Sequence, residues 1–173
     1  MRRSLSARHT RPPGSVPASS AAPLRGAYLD SSALVKLVVA EPQTLALRTA
    51  ILHEGWDLLV SSALAHTEIL RAVAIADSSA AAERRARAVL AAVVLLDVTA
   101  DVLDRGASIQ PSTVRSLDAL HVATAELAAN GHYPELPSDI SALVTYDVRM
   151  ARAWRAHQTI PARAPGAALD TST

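Results

Sequence analysis

Four carboxylates stand where a carboxylate is costly unless something uses it. Asp30 ends the apolar run Ala27-Tyr28-Leu29, which suits a buried strand. Ser31 and Ser32 follow and are read as the N-cap of a helix carrying Leu34, Val35, Leu37 and Val38. That places Asp30 at the carboxyl end of a strand, the edge at which open α/β sheets bind ligands. The competing reading is an aspartate that only caps a helix. Asp147 follows Leu143-Val144-Thr145 and has the same strand-end setting. Glu68 is expected on a helix, with Leu64, Ala72 and Ile75 at i−4, i+4 and i+7. Asp118 repeats the pattern with Val114, Val122 and Ala125. An inward acid costs several kcal/mol unless it is paired. Salt bridges from Arg71 to Glu68 and from Arg115 to Asp118 are the structural explanation to set against a site. Four carboxylates meeting in one crevice repel one another and do not all stay ionised without cations. An oxygen-only donor set in a chain without cysteine suits Mg²⁺ or Mn²⁺ rather than Zn²⁺.

Other side chains qualify as helpers. A hydroxyl at Ser32 is placed to orient Asp30 or a nearby water. His121, one turn beyond Asp118, is either a packed core histidine or an acid–base group. Lys36 is read as solvated rather than phosphate-binding. Arg149 lies near the mouth and either meets a phosphate or decorates a helix. No Gly-rich turn is present, which excludes the dinucleotide-binding class.

The elements that must hold these residues alternate. Strands are expected over 27–29, 56–60, 94–98 and 142–145, with a short last one over 159–161. Helices are expected after Ser32, over 43–54, 63–76, from 79 to 93, from Thr99 to 109, over 117–130 and over 148–157. Ser61-Ser62 is read as a helix cap, and residues 132–141 as a long loop containing two prolines. Strand–helix alternation implies a mostly parallel α/β sheet of four or five strands covered on both faces.

Composition narrows the classes further. The 173 residues suffice for one domain with a real core, and half of them are hydrophobic. The absence of cysteine fits a reducing, cytoplasmic setting. No apolar run approaches a membrane span, and no apolar segment follows Arg2-Arg3 as in a signal peptide. The net charge of +1 hides an asymmetry. Residues 1–26 hold five arginines and no acid, so the remainder is net acidic. Such a body does not bind nucleic acid by bulk charge. With three Tyr, two Trp and no Phe, a base-stacking platform is not expected. Residues 1–26 are read as a disordered Arg/Pro/Ser-rich tail, 27–166 as the domain and 167–173 as a second tail.

The motifs together resemble those of PIN-domain nucleases, and within them the VapC-type toxins of toxin–antitoxin pairs. A-Y-L-D-S-S-A-L-V-K-L around Asp30, H-T-E-I-L-R-A around Glu68, R-S-L-D-A-L-H-V-A-T-A around Asp118 and V-T-Y-D-V-R-M around Asp147 match that family's four motifs in order. The resemblance implies a PIN-like fold and a metal-dependent endoribonuclease. Asp30, Glu68, Asp118 and Asp147 would then be catalytic and metal-binding, with Ser32 assisting. It also implies an RNA substrate, products with a 5′-phosphate and a 3′-hydroxyl, a cognate antitoxin and a homodimer. The loop over 132–141 is longer than the family commonly has, which raises Asp139 as a possible extra ligand. Two rivals are a PIN-fold binding module without catalysis and a receiver-like phosphoacceptor domain. The first leaves the acid cluster unused. The second lacks the acidic pair after the first strand and the late lysine that it needs.

Overall fold

A computed structural model describes residues 24–136 and 138–169. The element order is β1 (Leu24–Leu29), α1 (Ser31–Val38), α2 (Thr44–His53), β2 (Leu58–Ser62), α3 (Leu64–Ala76) and α4 (Ala80–Ala91). There follow β3 (Val94–Leu96), α5 (Ala100–Ala107), α6 (Ser116–Ala129), β4 (Ser138–Val144), α7 (Val148–His157) and β5 (Ala162–Arg163). The five strands form one sheet in the order β3-β2-β1-β4-β5, and each neighbouring pair is parallel.

Strand alternation divides the core in two. Ala27 and Leu29 face a cluster with Leu34, Leu47, Ile69 and Leu90, contributed by α1 to α4. Tyr28 and Val60 face the other way, onto Val102, Val122, Met150 and Trp154 of α5, α6 and α7. Helix α6 is buried almost all round. Its alanines at 119, 123, 125 and 128 let it lie close to the sheet and its neighbours. At Gly106 of α5 an added Cβ would stand 2.8 Å from Leu120 Cδ2, so the Leu120 side chain lies directly over that glycine.

Several boundaries differ from the sequence reading. The expected tail falls outside the described residues only up to residue 23, because Leu24, Arg25 and Gly26 already belong to β1. The Arg25 backbone N–H donates to the Asp57 carboxylate at 2.9 Å, and its carbonyl accepts from the Asp57 N–H at 2.7 Å. At the other end, residues 170–173 lie outside the described residues. The expected long loop over 132–141 is shorter, because β4 begins at Ser138. Ser141 is the additional residue at an irregularity opposite Gly26 and Ala27, and its hydroxyl donates to the Gly26 carbonyl at 3.0 Å. Asp139 pairs with Arg25 at the amino end of the sheet. Five residues of strand, roughly 16 Å, separate it from Val144 at the carboxyl edge. It is therefore not an extra ligand beside Asp147. The N-cap of α3 is Ala63 rather than Ser61-Ser62, although the Ser62 hydroxyl oxygen accepts the Leu64 N–H at 3.3 Å. Both serines are buried in β2, where the Ser61 hydroxyl donates to the Leu29 carbonyl at 2.7 Å. The last strand is Ala162–Arg163 rather than 159–161, and Ile160 instead offers its carbonyl to the Trp154 indole N–H at 2.7 Å. Among the described residues no helix is long and apolar enough to cross a membrane.

The amino end of β1 supports a direct test. A chain beginning at Ala27 loses the Arg25 bonds and three residues of pairing to β4. It is expected to melt about 2–6 °C below one beginning at Leu24, as followed by circular dichroism.

Candidate active site

The carboxyl edge of the sheet gathers the ends of β1, β2 and β4, and each of the four acids lies on or beside it. Asp30 is 4% exposed. Its carboxylate accepts the Ala33 N–H at 2.9 Å, the Ser32 hydroxyl at 2.7 Å and the Thr145 hydroxyl at 2.7 Å. Asp30 is itself the N-cap of α1, so Ser31 and Ser32 are its first helical residues rather than its cap. Capping and site formation are therefore one arrangement. Burial raises the Asp30 pKa, and its hydrogen bonds oppose that shift without cancelling it. Ser32 orients the carboxylate as expected, and its oxygen also accepts the Tyr146 N–H at 2.8 Å.

Thr145 was not singled out by the sequence reading. It is fully buried, donates to Asp30 and accepts the Asp147 N–H at 3.0 Å, so it ties the two strand-end acids together. Its position two residues before Asp147 was the available signal.

Glu68 lies on α3, beside the buried stripe of Ala65, Ile69 and Val73 rather than within one. Ile75, expected to share its face, is exposed. No salt bridge joins Glu68 to Arg71 among the described residues. Its Oε2 accepts from His121 Nε2 at 2.8 Å and from the Ser31 hydroxyl. The His121 bond is the chief cause of a Glu68 pKa below the usual range, against the effect of burial. His121 is a buried histidine, and it is also the partner of a site acid.

Asp118 opens α6 and is half-buried, with Val122 and Ala125 buried beneath it as the pattern anticipated. Arg115 makes no salt bridge to it. Asp118 Oδ2 is buried without a hydrogen-bond partner among the described residues. Burial raises its pKa, and the charge of Asp147 raises it further. Asp147 caps α7 through the N–H groups of Arg149 at 2.8 Å and Met150 at 3.3 Å. Burial acts to raise its pKa, but the Arg149 guanidinium at 3.0 Å and these backbone bonds hold it below the usual range. Arg149 thus sits at the mouth on Asp147. Lys36 is not solvated. It pairs with Glu41, and its ammonium lies 4.8 Å from the centre of the Tyr146 ring.

Asp118 and Asp147 are near enough for their charges to interact, and Glu68 meets His121 directly. Among the described residues the acids do not close into a three-ligand cage, since His121 and Ser31 hold Glu68 and Arg149 holds Asp147. A separate cleft of about 480 Å³, lined by Leu58, Leu96, Leu127 and Tyr133, shares no residue with the acids or their partners.

A parallel α/β sheet with buried acids at its carboxyl edge defines a protein built for chemistry at strand ends. The chain belongs to the PIN domain family, whose model matches residues 27–155. It is 42% identical over 123 residues to Ribonuclease VapC46 of Mycobacterium tuberculosis (strain ATCC 25618 / H37Rv), covering 71% of this chain and 85% of that one. Its fold is similar to the crystal structure of Mycobacterium tuberculosis VapC20, a sarcin-ricin loop cleaving toxin. That match has a TM-score of 0.56 at 16% identity and covers 73% of this chain and 93% of the other. A toxin–antitoxin complex from Klebsiella pneumoniae matches with a TM-score of 0.50 at 20% identity, over 71% of this chain and 88% of that one.

The raised Asp118 pKa fixes the sign of a stability change. A carboxyl whose pKa is higher folded than unfolded, where it is about 4, contributes stability at low pH that is lost as pH rises through the folded value. Asp118→Asn removes that loss. In metal-free protein the substitution is expected to raise the melting temperature at pH 7.5, with the gain shrinking toward pH 4. An ion pair between Arg115 and Asp118 would give the reverse, a lower melting temperature at neutral pH.

Proposed function

We propose that this protein is a VapC-type endoribonuclease whose active site is the crevice among Asp30, Glu68, Asp118 and Asp147. One observation carries the reading. Asp118 holds a buried, unpartnered carboxylate oxygen beside a second acid, in a chain 42% identical to a ribonuclease. A buried acceptor left without a donor is costly, and beside a second acid a cation satisfies it and offsets the repulsion as well, which a water does not. The donor set is all oxygen, which fits Mg²⁺ or Mn²⁺. When bound, such an ion would supply Lewis-acid polarisation of a phosphodiester and an activated water.

The residues divide by what they hold. Asp118 offers its free Oδ2, and Glu68 offers Oε1, which no side chain occupies among the described residues. Asp30 is fixed by its donors. Ser32 spends its hydrogen on Asp30 and its lone pair on the Tyr146 N–H, so it positions the carboxylate rather than touching RNA. Arg149 is half-exposed and hydrogen-bonded to Asp147, which leaves guanidinium N–H groups for a phosphate at the mouth. That cation offsets part of the repulsion between an acidic body and a polyanion. A cognate antitoxin that brings a cationic group to the same mouth fits the uncompensated charge of Asp118.

The test is cleavage of a structured RNA by the purified protein. Activity is expected with Mg²⁺ or Mn²⁺ and is expected to stop in excess EDTA. Asp30→Asn and Asp118→Asn should reduce it to background, and Ser32→Ala should lower it by about 10–100-fold, as loss of a group that orients a ligand does. Cleavage that persists in EDTA overturns the metal-dependent reading.

A further inference from the structure

We infer that His121 is a positioning residue for Glu68, held by Tyr28 in the tautomer that carries its proton on Nε2, so that Glu68 turns one chosen oxygen toward the crevice. The inference rests on the reading of that crevice as a divalent-ion site.

The geometry is a three-residue line across the carboxyl edge of the sheet. Tyr28 projects from β1 into the layer of α5 to α7, and its hydroxyl lies 2.9 Å from His121 Nδ1. The two rings meet edge-on with centroids 6.2 Å apart. His121 Nε2 lies 2.8 Å from Glu68 Oε2, which α3 brings from the opposite layer. Tyr28 is fully buried and His121 is 3% exposed, so water does not compete for these bonds.

Donor bookkeeping assigns the proton. Burial drives the Tyr28 pKa well above the ordinary tyrosine value, and the hydroxyl keeps its hydrogen. Glu68 Oε2, 2.8 Å from Nε2, can only accept, so Nε2 carries a hydrogen and Nδ1 of the neutral ring is left to accept from the phenol. An imidazole that accepts at Nδ1 carries its own hydrogen on Nε2. That hydrogen faces the carboxylate, and Ser31 Oγ, 3.3 Å from Nε2, donates to the same Glu68 oxygen. Two donors grip Oε2, while Oε1 has no hydrogen bond to any described side chain. A glutamate has three side-chain torsions to fix. Orienting it in advance is what a group behind a metal ligand contributes, and its loss typically weakens metal binding about 10–100-fold.

The experiment uses the full chain and Mn²⁺ as the probe, with binding read by isothermal titration. His121→Leu is expected to bind Mn²⁺ about 10–100-fold more weakly than wild type. His121→Gln keeps an N–H that reaches Glu68 and should recover most of that loss, and Tyr28→Phe should fall between them. In ¹⁵N spectra of the wild-type side chains, one histidine should show a protonated Nε2 and an unprotonated Nδ1, and that signal should vanish in His121→Gln. Wild-type affinity in His121→Leu, or equal losses in the Leu and Gln variants, would overturn the inference. So would a spectrum with both His121 nitrogens protonated. A wild-type chain that binds no Mn²⁺ removes the metal-site reading and this inference together. Binding by wild type that is indifferent to His121 removes this inference alone.

Discussion

The structure depends first on one buried charge. A carboxylate taken out of water costs several kcal/mol and takes up a proton unless donors replace its hydration. Asp30 meets that demand with a backbone N–H and two hydroxyls drawn from both sides of the chain, Ser32 from α1 and Thr145 from the end of β4. Satisfying one side chain therefore fixes where α1 begins and where β4 ends relative to β1. The arrangement reaches further, because Thr145 also receives the Asp147 N–H and Ser32 receives the Tyr146 N–H. The turn from β4 into α7 is anchored to the first strand through the acid it must approach.

The remaining acids show three solutions to the same problem. Glu68 is met by a histidine and a serine, and its pKa falls. Asp147 is met by an arginine and two backbone N–H groups, and its pKa falls as well. Asp118 is met by nothing at Oδ2, and its pKa rises under burial and under the charge of Asp147. Two neighbouring carboxylates displaced in opposite directions are a pattern associated with working sites rather than structural pairs. Glu126 also has a buried oxygen, Oε1, without a partner among the described residues, but its Oε2 pairs with Arg105 at 2.6 Å, whereas no described arginine or lysine forms an ion pair with Asp118.

Much of this was legible in the residues, for reasons that can be stated. Short apolar runs ending in Asp30 and Asp147 signalled parallel strands with acids at their carboxyl ends, and both acids stand there. The burial of Val122 and Ala125 beneath Asp118 followed from helical periodicity. The Glu68 pattern was misread, since Ile75 faces solvent and the buried stripe runs one position over. Polar residues inside strands were the main source of error. Ser61 and Ser141 look like cap and loop on composition, yet bonds to carbonyls of β1 satisfy their hydroxyls within the sheet, while Ser62 ends β2 and still accepts the first N–H of α3. Lys36 misled for a related reason, because an aromatic face and Glu41 are brought to it only by folding. Thr145 carried only the weak local signal of standing two residues before Asp147. Its role exists only once β1 and β4 lie side by side.

That adjacency depends on register. A strand has a side-chain period of two, so a slip of one residue turns every side chain to the opposite face. In β1 the parity puts Ala27 and Leu29 into the layer of α1 to α4 and Tyr28 into the layer of α6, where His121 waits. In β4 the parity is set by one residue. Gly26 pairs with Ile140 and Ala27 with Ala142, so the chain takes up Ser141 between them and continues one step advanced. From there Leu29 meets Val144, and the next residue on each chain is Asp30 and Thr145. Had β4 kept the earlier register, Leu29 would face Leu143, and Val144 would stand where the Thr145 hydroxyl now reaches the Asp30 carboxylate. A serine whose hydroxyl bonds back to the Gly26 carbonyl suits that irregularity, because it satisfies a carbonyl that the disturbed ladder would otherwise leave unpaired. The chemistry at the carboxyl edge is thus aligned by an adjustment near the amino end of the same two strands.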